Sequence, residues 1–202
     1  SLGCKFGCNF CMINIVNRTS LDESTTSTNS KLMRHWDPKH FVDQLEILAN
    51  YGVKTIRLTD EMFFLNKKYY VPILEDIIKR QLKLNMWAYA RVDTVREDQL
   101  ELFKRAGINW LALGIESANQ IVRRDIEKGR FKEINIRDIV NLINKYDINV
   151  LGNYIFGLPE DDLDRMQETL DLALDLNTEH ANFYPCQALP GSPLYLEAKQ
   201  KG

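Results

Sequence analysis

Five short apolar runs alternate with amphipathic stretches along the chain, and this alternation limits the fold more than any other feature. The runs are Val53–Thr59, Leu84–Ala90, Trp110–Ile115, Asn149–Phe156 and Ala181–Cys186. Between them, apolar residues recur at helical spacing. Asp37-Pro38 opens one helix, with Asp as N-cap and Pro at the first helical position. Phe41, Leu45 and Leu48 follow at i, i+4 and i+7, and Gly52 stops the helix. Further helices are expected over Asn66–Leu82, from the capping-box pattern Thr94-Val95-Arg96-Glu97 to Gly107, and over about Ala118–Lys128 and Asn135–Tyr146. Leu163, Met166, Leu170 and Ala173 mark the last long helix, and Pro190-Gly191-Ser192-Pro193 begins a short terminal one. Continuous apolar strands separated by amphipathic helices mean a parallel sheet covered by helices, an α/β fold. No G-x-G-x-x-G or Walker-type loop follows any of the runs, which weakens a dinucleotide or nucleoside-triphosphate reading.

Composition narrows the class. A chain of 202 residues with 45% hydrophobic content is one domain by length and has material for a core. Twenty-six basic against twenty-eight acidic residues give a net charge of −2 with no basic run, which argues against a general nucleic-acid surface. No signal peptide and no apolar run long enough for a bilayer is present, so no membrane association and a cytoplasmic location are expected.

Three of the four cysteines, Cys4, Cys8 and Cys11, stand in the first eleven residues with spacing C-x3-C-x2-C. Thiolates are soft ligands that suit iron–sulfur clusters, zinc and Cu(I). A structural zinc site wants four protein ligands, and no fourth Cys or His lies nearby. Three thiolates on a cubane of four irons leave one iron open to another ligand. A zinc knuckle, or a disulfide beside a free thiol, is the blander reading. Cys186 reads first as a small buried apolar residue. His35, His40 and His180 have no ligand spacing. The polar stretch Met12–Lys31 reads as a long loop, either a lid over the cysteine end or a solvated connector.

The cysteine loop, with Phe10 just before its last cysteine, resembles the signature of the radical S-adenosylmethionine (radical SAM) superfamily. The resemblance implies a 4Fe–4S cluster on Cys4, Cys8 and Cys11, with the open iron chelated by the amino and carboxylate groups of SAM. It implies reductive cleavage of SAM to a 5′-deoxyadenosyl radical that activates a C–H bond. It also implies a partial (β/α)6 barrel of TIM type. Five strands are legible, so the first strand is expected to be largely missing from this segment. Residues 1–202 are then the radical SAM core domain of a longer protein, with the edge beside Val53–Thr59 left open.

In a parallel barrel, chemistry gathers at the C-terminal ends of the strands. Those ends carry Asp60-Glu61, Arg91-Val92-Asp93, Gly114-Ile115-Glu116-Ser117 and Asn153-Tyr154-Ile155-Phe156-Gly157-Leu158-Pro159-Glu160. Each is similar to a family stretch that contacts SAM. By that resemblance the cofactor-binding residues are Phe10, Asp60, Glu61, Arg91, Glu116, Ser117, Asn153, Ile155 and Gly157. Asn153 stands where the family stretch has glycine. Arg91 reads equally as a partner of Asp93 or Glu116, and Ser117 as a helix cap. No catalytic residue is assigned.

The stretches after the strands look most like the cobalamin-associated branch, which methylates or cyclises unactivated carbons. Cobalamin is then expected on a domain outside this segment. The expected partners are a small-molecule substrate and an electron donor such as flavodoxin or ferredoxin. The alternatives are a methylthiotransferase acting on tRNA or protein, then an enzyme resembling coproporphyrinogen oxidase. A non-catalytic iron–sulfur or zinc module is the reading from a different class.

Overall fold

The computed structural model describes residues 1–13, 15, 33–126 and 134–201. Most of the expected 12–31 loop, and the end of the expected Ala118–Lys128 helix, lie outside these residues. Strands β1 (Thr55–Arg57), β2 (Asn85–Arg91), β3 (Ile108–Glu116), β4 (Asn149–Phe156) and β5 (His180–Pro185) form one sheet in that order. Every pairing is parallel. Each strand lies beside the next in sequence, so the sheet winds in one sense and curves into a half-barrel. Helices α1 (Pro38–Asn50), α2 (Lys67–Lys79), α3 (Glu97–Arg105), α4 (Gln120–Ile126), α5 (Ile136–Lys145) and α6 (Leu163–Leu176) alternate with the strands, and α7 (Pro193–Lys201) closes the chain.

The elements follow from local signals. Asp37 caps α1 by accepting a hydrogen bond from His40 N at 2.8 Å, and Pro38 sits where no intrahelical donor is needed. Asn66 and Asn135 cap α2 and α5 in the same way. Two expectations change. The Val53–Thr59 run gives only the three-residue β1, although Leu58 N still donates to Trp87 O at 2.9 Å. The box expected at Thr94 does not start α3. Thr94 Oγ1 instead donates to Arg91 O at 2.9 Å and closes a 3-10 turn over Val92–Thr94. The capping box that starts α3 pairs Arg96 with Gln99, whose Oε1 accepts from Arg96 N at 3.1 Å.

Side chains alternate across the sheet, and the two faces differ. Met86, Ala88, Leu111, Leu113, Ile115, Val150 and Tyr154 are buried on the side that the helices cover. Register lines them up: Ile56 opposes Met86, Ala88 opposes Leu111, and Leu111 opposes Val150. An aromatic layer fills the space under α1, α2 and α3. Phe64 stacks on Phe103 at 4.0 Å between ring centroids and meets Tyr70 edge-on at 5.7 Å. The Tyr70 hydroxyl accepts from Gln99 Nε2 at 3.0 Å, so its burial leaves no orphaned oxygen. Each such buried side chain contributes about 1.5–3 kcal/mol. The other face carries Arg57, Trp87, Tyr89, Trp110, Asn153, Asn182 and Tyr184, none of them fully buried. It is the concave wall of the half-barrel.

Candidate functional site

The cysteine loop is tied to the barrel from several sides. Gly3 N donates to Glu61 Oε2 at 3.2 Å, and Ser1 Oγ donates to Asp60 Oδ2 at 2.7 Å. Asn9 N donates to Ile126 O at 2.8 Å, and Asn9 O accepts from Leu194 N at 3.0 Å. Leu2 and Arg34 form an antiparallel bridge. The first residues therefore cross the C-terminal ends of the strands, where the chain brings β1, α4 and α7 to meet them. Cys4 is buried, while Cys8 and Cys11 are half-buried, and none of the three is in a disulfide. Phe6 N points at Cys4 Sγ at 3.4 Å, and Arg91 Nη1 at Cys8 Sγ at 3.5 Å. Among the described residues, no three His, Cys, Asp or Glu side chains converge as ligands of a single metal ion. A cubane makes no such demand, since each cysteine takes a different iron, so the loop's three soft donors fit that group.

Below the loop lies a cavity of about 530 Å³. Phe10 and Cys11 form its roof. Its wall comes from all five strands and the turn after β1: Arg57, Thr59 and Glu61; Tyr89 and Arg91; Gly114 and Glu116; Asn153 and Ile155; and Tyr184. A smaller cavity of about 220 Å³ adjoins it, sharing Phe10, Ile155 and Tyr184 and adding Cys186, Gln187 and Leu189. Cys186 also packs with Cys8, Phe10 and Ile155 against Val122, Ile126 and Leu158. The last strand thus delivers it beside the cysteine loop, a closeness that its sequence distance conceals.

Glu116 is the most constrained group in the cavity. It has φ +66, at a break in the β3–β4 register between Gly114 and Glu116. Its carboxylate lies back over Gly114, where a Cβ would stand 2.6 Å from Glu116 Oε1. Glycine at 114 therefore makes room for this acid. Burial pushes its carboxyl up to about 7, with the Arg91 charge pulling the other way. The Cys11 thiol is also pushed up, first by burial and further by the Glu116 and Glu61 charges.

Arg91 resolves to the ion pair with Asp93. Its Nε and Nη2 donate to Asp93 Oδ1 and Oδ2 at 2.8 and 2.7 Å, and its guanidinium carbon lies 3.8 Å from the Phe6 ring centroid. That buried fork props the loop from below. Seven of the expected cofactor-binding residues, Phe10, Glu61, Arg91, Glu116, Asn153, Ile155 and, through its backbone position at the end of β4, Gly157, gather at one end of the barrel. Gly157 stands just outside the cavity lining, with φ +83 and open space above its Cα. Asp60 and Ser117 stand apart from the cavity. Asp60 is turned under the loop toward Ser1. Ser117 is fully buried, with its Oγ 3.2 Å from Thr169 Oγ1 and accepting from Asn119 N at 3.1 Å. Its hydroxyl is occupied in fastening β3 to α6. Sequence reasoning missed Arg57, Thr59, Tyr89 and Tyr184. The signal was partial: Thr55, Arg57 and Thr59 alternate through a run read as apolar at Val53, Ile56 and Leu58, whereas Tyr89 and Tyr184 are single tyrosines in their runs.

Comparison with known proteins agrees with this geometry. The chain is 30% identical over 196 residues to an uncharacterised methyltransferase of Pyrococcus horikoshii, covering 96% of this chain and 40% of that protein. It is 28% identical over 207 residues to the anaerobic magnesium-protoporphyrin IX monomethyl ester cyclase of Cereibacter sphaeroides, covering 98% of this chain and 31% of that one. The chain thus spans about a third to two fifths of these relatives. Among solved structures, the radical SAM methyltransferase TsrM of Kitasatospora setae, with cobalamin and a 4Fe–4S cluster bound, superposes with a TM-score of 0.82 at 19% identity. That match covers 99% of this chain and 36% of TsrM, and shows the partial-barrel fold. The resemblance to the cobalamin-associated branch is borne out by these relatives, and a non-catalytic module is set aside. Residues 1–173 match the Radical SAM superfamily, and the chain belongs to it, as an enzyme of a family that uses a 4Fe–4S cluster and S-adenosylmethionine.

Proposed function

We propose that residues 1–202 are the catalytic core domain of an enzyme that activates a C–H bond of a small-molecule substrate for methylation or cyclisation. In this reading cobalamin is held by a domain outside the segment, and a flavodoxin or ferredoxin supplies electrons. The observation that carries it is the cavity roofed by Cys11 and walled by Glu61 and Glu116. It sits at the strand ends, against a loop that carries three cysteines outside any disulfide. When bound, the cluster and SAM together supply a carbon radical able to take a hydrogen atom from an unactivated position.

The chain's own residues do the rest. Cys4, Cys8 and Cys11 would hold the cluster, each giving up its thiol proton to do so. Arg91, fixed by Asp93 and stacked on Phe6, holds the loop at its working height and directs a donor at Cys8 Sγ. Glu61 and Glu116 accept hydrogen bonds from the polar end of SAM, while Phe10 and Ile155 supply apolar surface for its rings. Asn153 offers an amide to the same ligand, and Gly157 leaves space for the adjoining backbone. Asp60 and Ser117 contribute through the scaffold: one steadies the loop, the other the β3–α6 junction.

The experiment is anaerobic reconstitution followed by SAM titration. Glu61→Ala and Glu116→Ala are each expected to weaken SAM binding by about 1–3 kcal/mol with iron content unchanged. Wild-type affinity in both variants refutes this placement of SAM.

A further inference from the structure

The concave wall holds two arginines with opposite surroundings. Arg91, at the end of β2, is buried and neutralised by the fork to Asp93. Arg57, on β1, has no carboxylate partner among the described residues. Its Nη2 donates to the Tyr89 hydroxyl. Its guanidinium carbon stands 4.7 Å from the Trp87 ring centroid and 5.4 Å from that of Tyr89. Two aromatic faces and a neutral hydroxyl hold the cation in place and leave its charge uncompensated. A guanidinium laid over an indole keeps its in-plane N–H edge free for a second, bidentate partner. Its side chain is open to the cavity.

Its depth matters. Arg57 is in register with Trp87, and Arg91 is four residues further along the same strand as Trp87. At the usual strand rise that separation is about 13 Å. Arg91, Glu116 and the cysteine loop therefore mark the rim of the half-barrel, and Arg57 marks its floor. In the proposed function, which this inference deepens and on which it rests, SAM occupies the rim. A cation at the floor then faces the other reactant.

We propose that Arg57, held by Trp87 and Tyr89, is the specificity-determining group for a carboxylate on the substrate. The substrate class is a planar aromatic or heteroaromatic carboxylic acid. The aromatic residues that line the cavity beside Arg57, Tyr89 and Tyr184, give a flat ring system its wall, and the carboxylate accepts from the free edge of the guanidinium. The amides on the opposite wall, with Asn182 Nδ2 donating to Asn153 Oδ1 at 3.2 Å, are neutral and do not compete for the cation.

The test uses the reconstituted full chain and a matched pair of probes, indole-3-propionate and its neutral isostere indole-3-propionamide, titrated by calorimetry. Wild type should bind the acid at least tenfold more tightly than the amide. Arg57→Gln should abolish that preference and Arg57→Lys should keep part of it, with iron content and SAM affinity unchanged in both. Equal binding of acid and amide by wild type overturns the proposal. So does a loss of SAM affinity in Arg57→Gln with the acid still preferred, which assigns the cation to the SAM carboxylate instead. Failure of wild type itself to take up iron and SAM is a separate result, and refutes the parent reading.

Discussion

The two faces of the sheet are written in alternate residues of the same strands, yet they are made of different material. On β2, Met86 and Ala88 face the helices while Trp87 and Tyr89 face the concave wall. On β4, Val150 and Tyr154 face one way while Asn153 and Ile155 face the other. The covered face is closely packed and apolar. The concave face is aromatic, amidic and charged, and it borders the cavity. Stability and binding are thus separated by one step along the strand, so substitutions on the two faces should fail in different ways.

The largest effect belongs to the loop that closes the concave side. Changing Cys4, Cys8 or Cys11 to Ala should take iron from about four per chain to near none. The cofactor-free protein should unfold at nearly the same urea concentration as wild type. Cys186→Ala should retain the iron, and if it alone loses the metal the ligand set is misassigned.

On the covered face, Leu113→Ala should cost about 2–5 kcal/mol in urea unfolding, the range for truncating a fully buried leucine. Iron bound per folded molecule should be unchanged. A cost below about 1 kcal/mol would erase the distinction between the faces.

Glu116 sharpens the comparison, because it is a concave-face group that costs stability. Its carboxyl is raised from 4.5 to about 7 by burial in the cofactor-free protein. The folded state then holds the proton more tightly than the unfolded state. Stability is full below pH 4.5 and falls as pH rises towards 7 and just beyond. Glu116→Gln should remove that decline, a gain on the order of 1–3 kcal/mol above pH 7. Urea midpoints of the two proteins from pH 4.5 to 8 should diverge steadily, and parallel curves would contradict the assignment. The smallest effect is Asn182→Ala, which removes one half-buried amide hydrogen bond and should cost about 0.5–1.5 kcal/mol.

How legible the molecule was follows the same division. Asn149–Phe156 was read at its observed bounds because Val150, Leu151, Tyr154, Ile155 and Phe156 make it a mainly apolar run that Gly157 and Pro159 end. The cysteine loop was legible because ligand spacing is local. The β1 strand was overread, since an edge strand with one neighbour sustains less pairing than its apolar run suggests. Thr94 was misread because its hydroxyl had a nearer partner, the Arg91 carbonyl, than the helix start. The choice of Asp93 over Glu116 by Arg91 depended on a bulge and a positive φ at Glu116, and no periodicity announces either. Arg57 and Tyr89 went unnoticed because a cavity wall is assembled from several strands, and one strand shows only its own share.

The strictly sequential strand order also sets a timetable for biogenesis. Each strand can join its predecessor as the nascent chain lengthens, but the cysteine loop precedes every residue that ties it down. Its ties come in turn from Arg34, Asp60 and Glu61, then from Ile126 and Ile155, and last from Leu194. At 5–20 residues per second, the ribosome reaches Leu194 roughly 10–40 s after Asn9. Throughout that interval the three thiols are exposed to oxidants and to stray metals. Enclosure of the cysteine loop is thereby completed only after Leu194 is made, and the thiols must stay reduced until then.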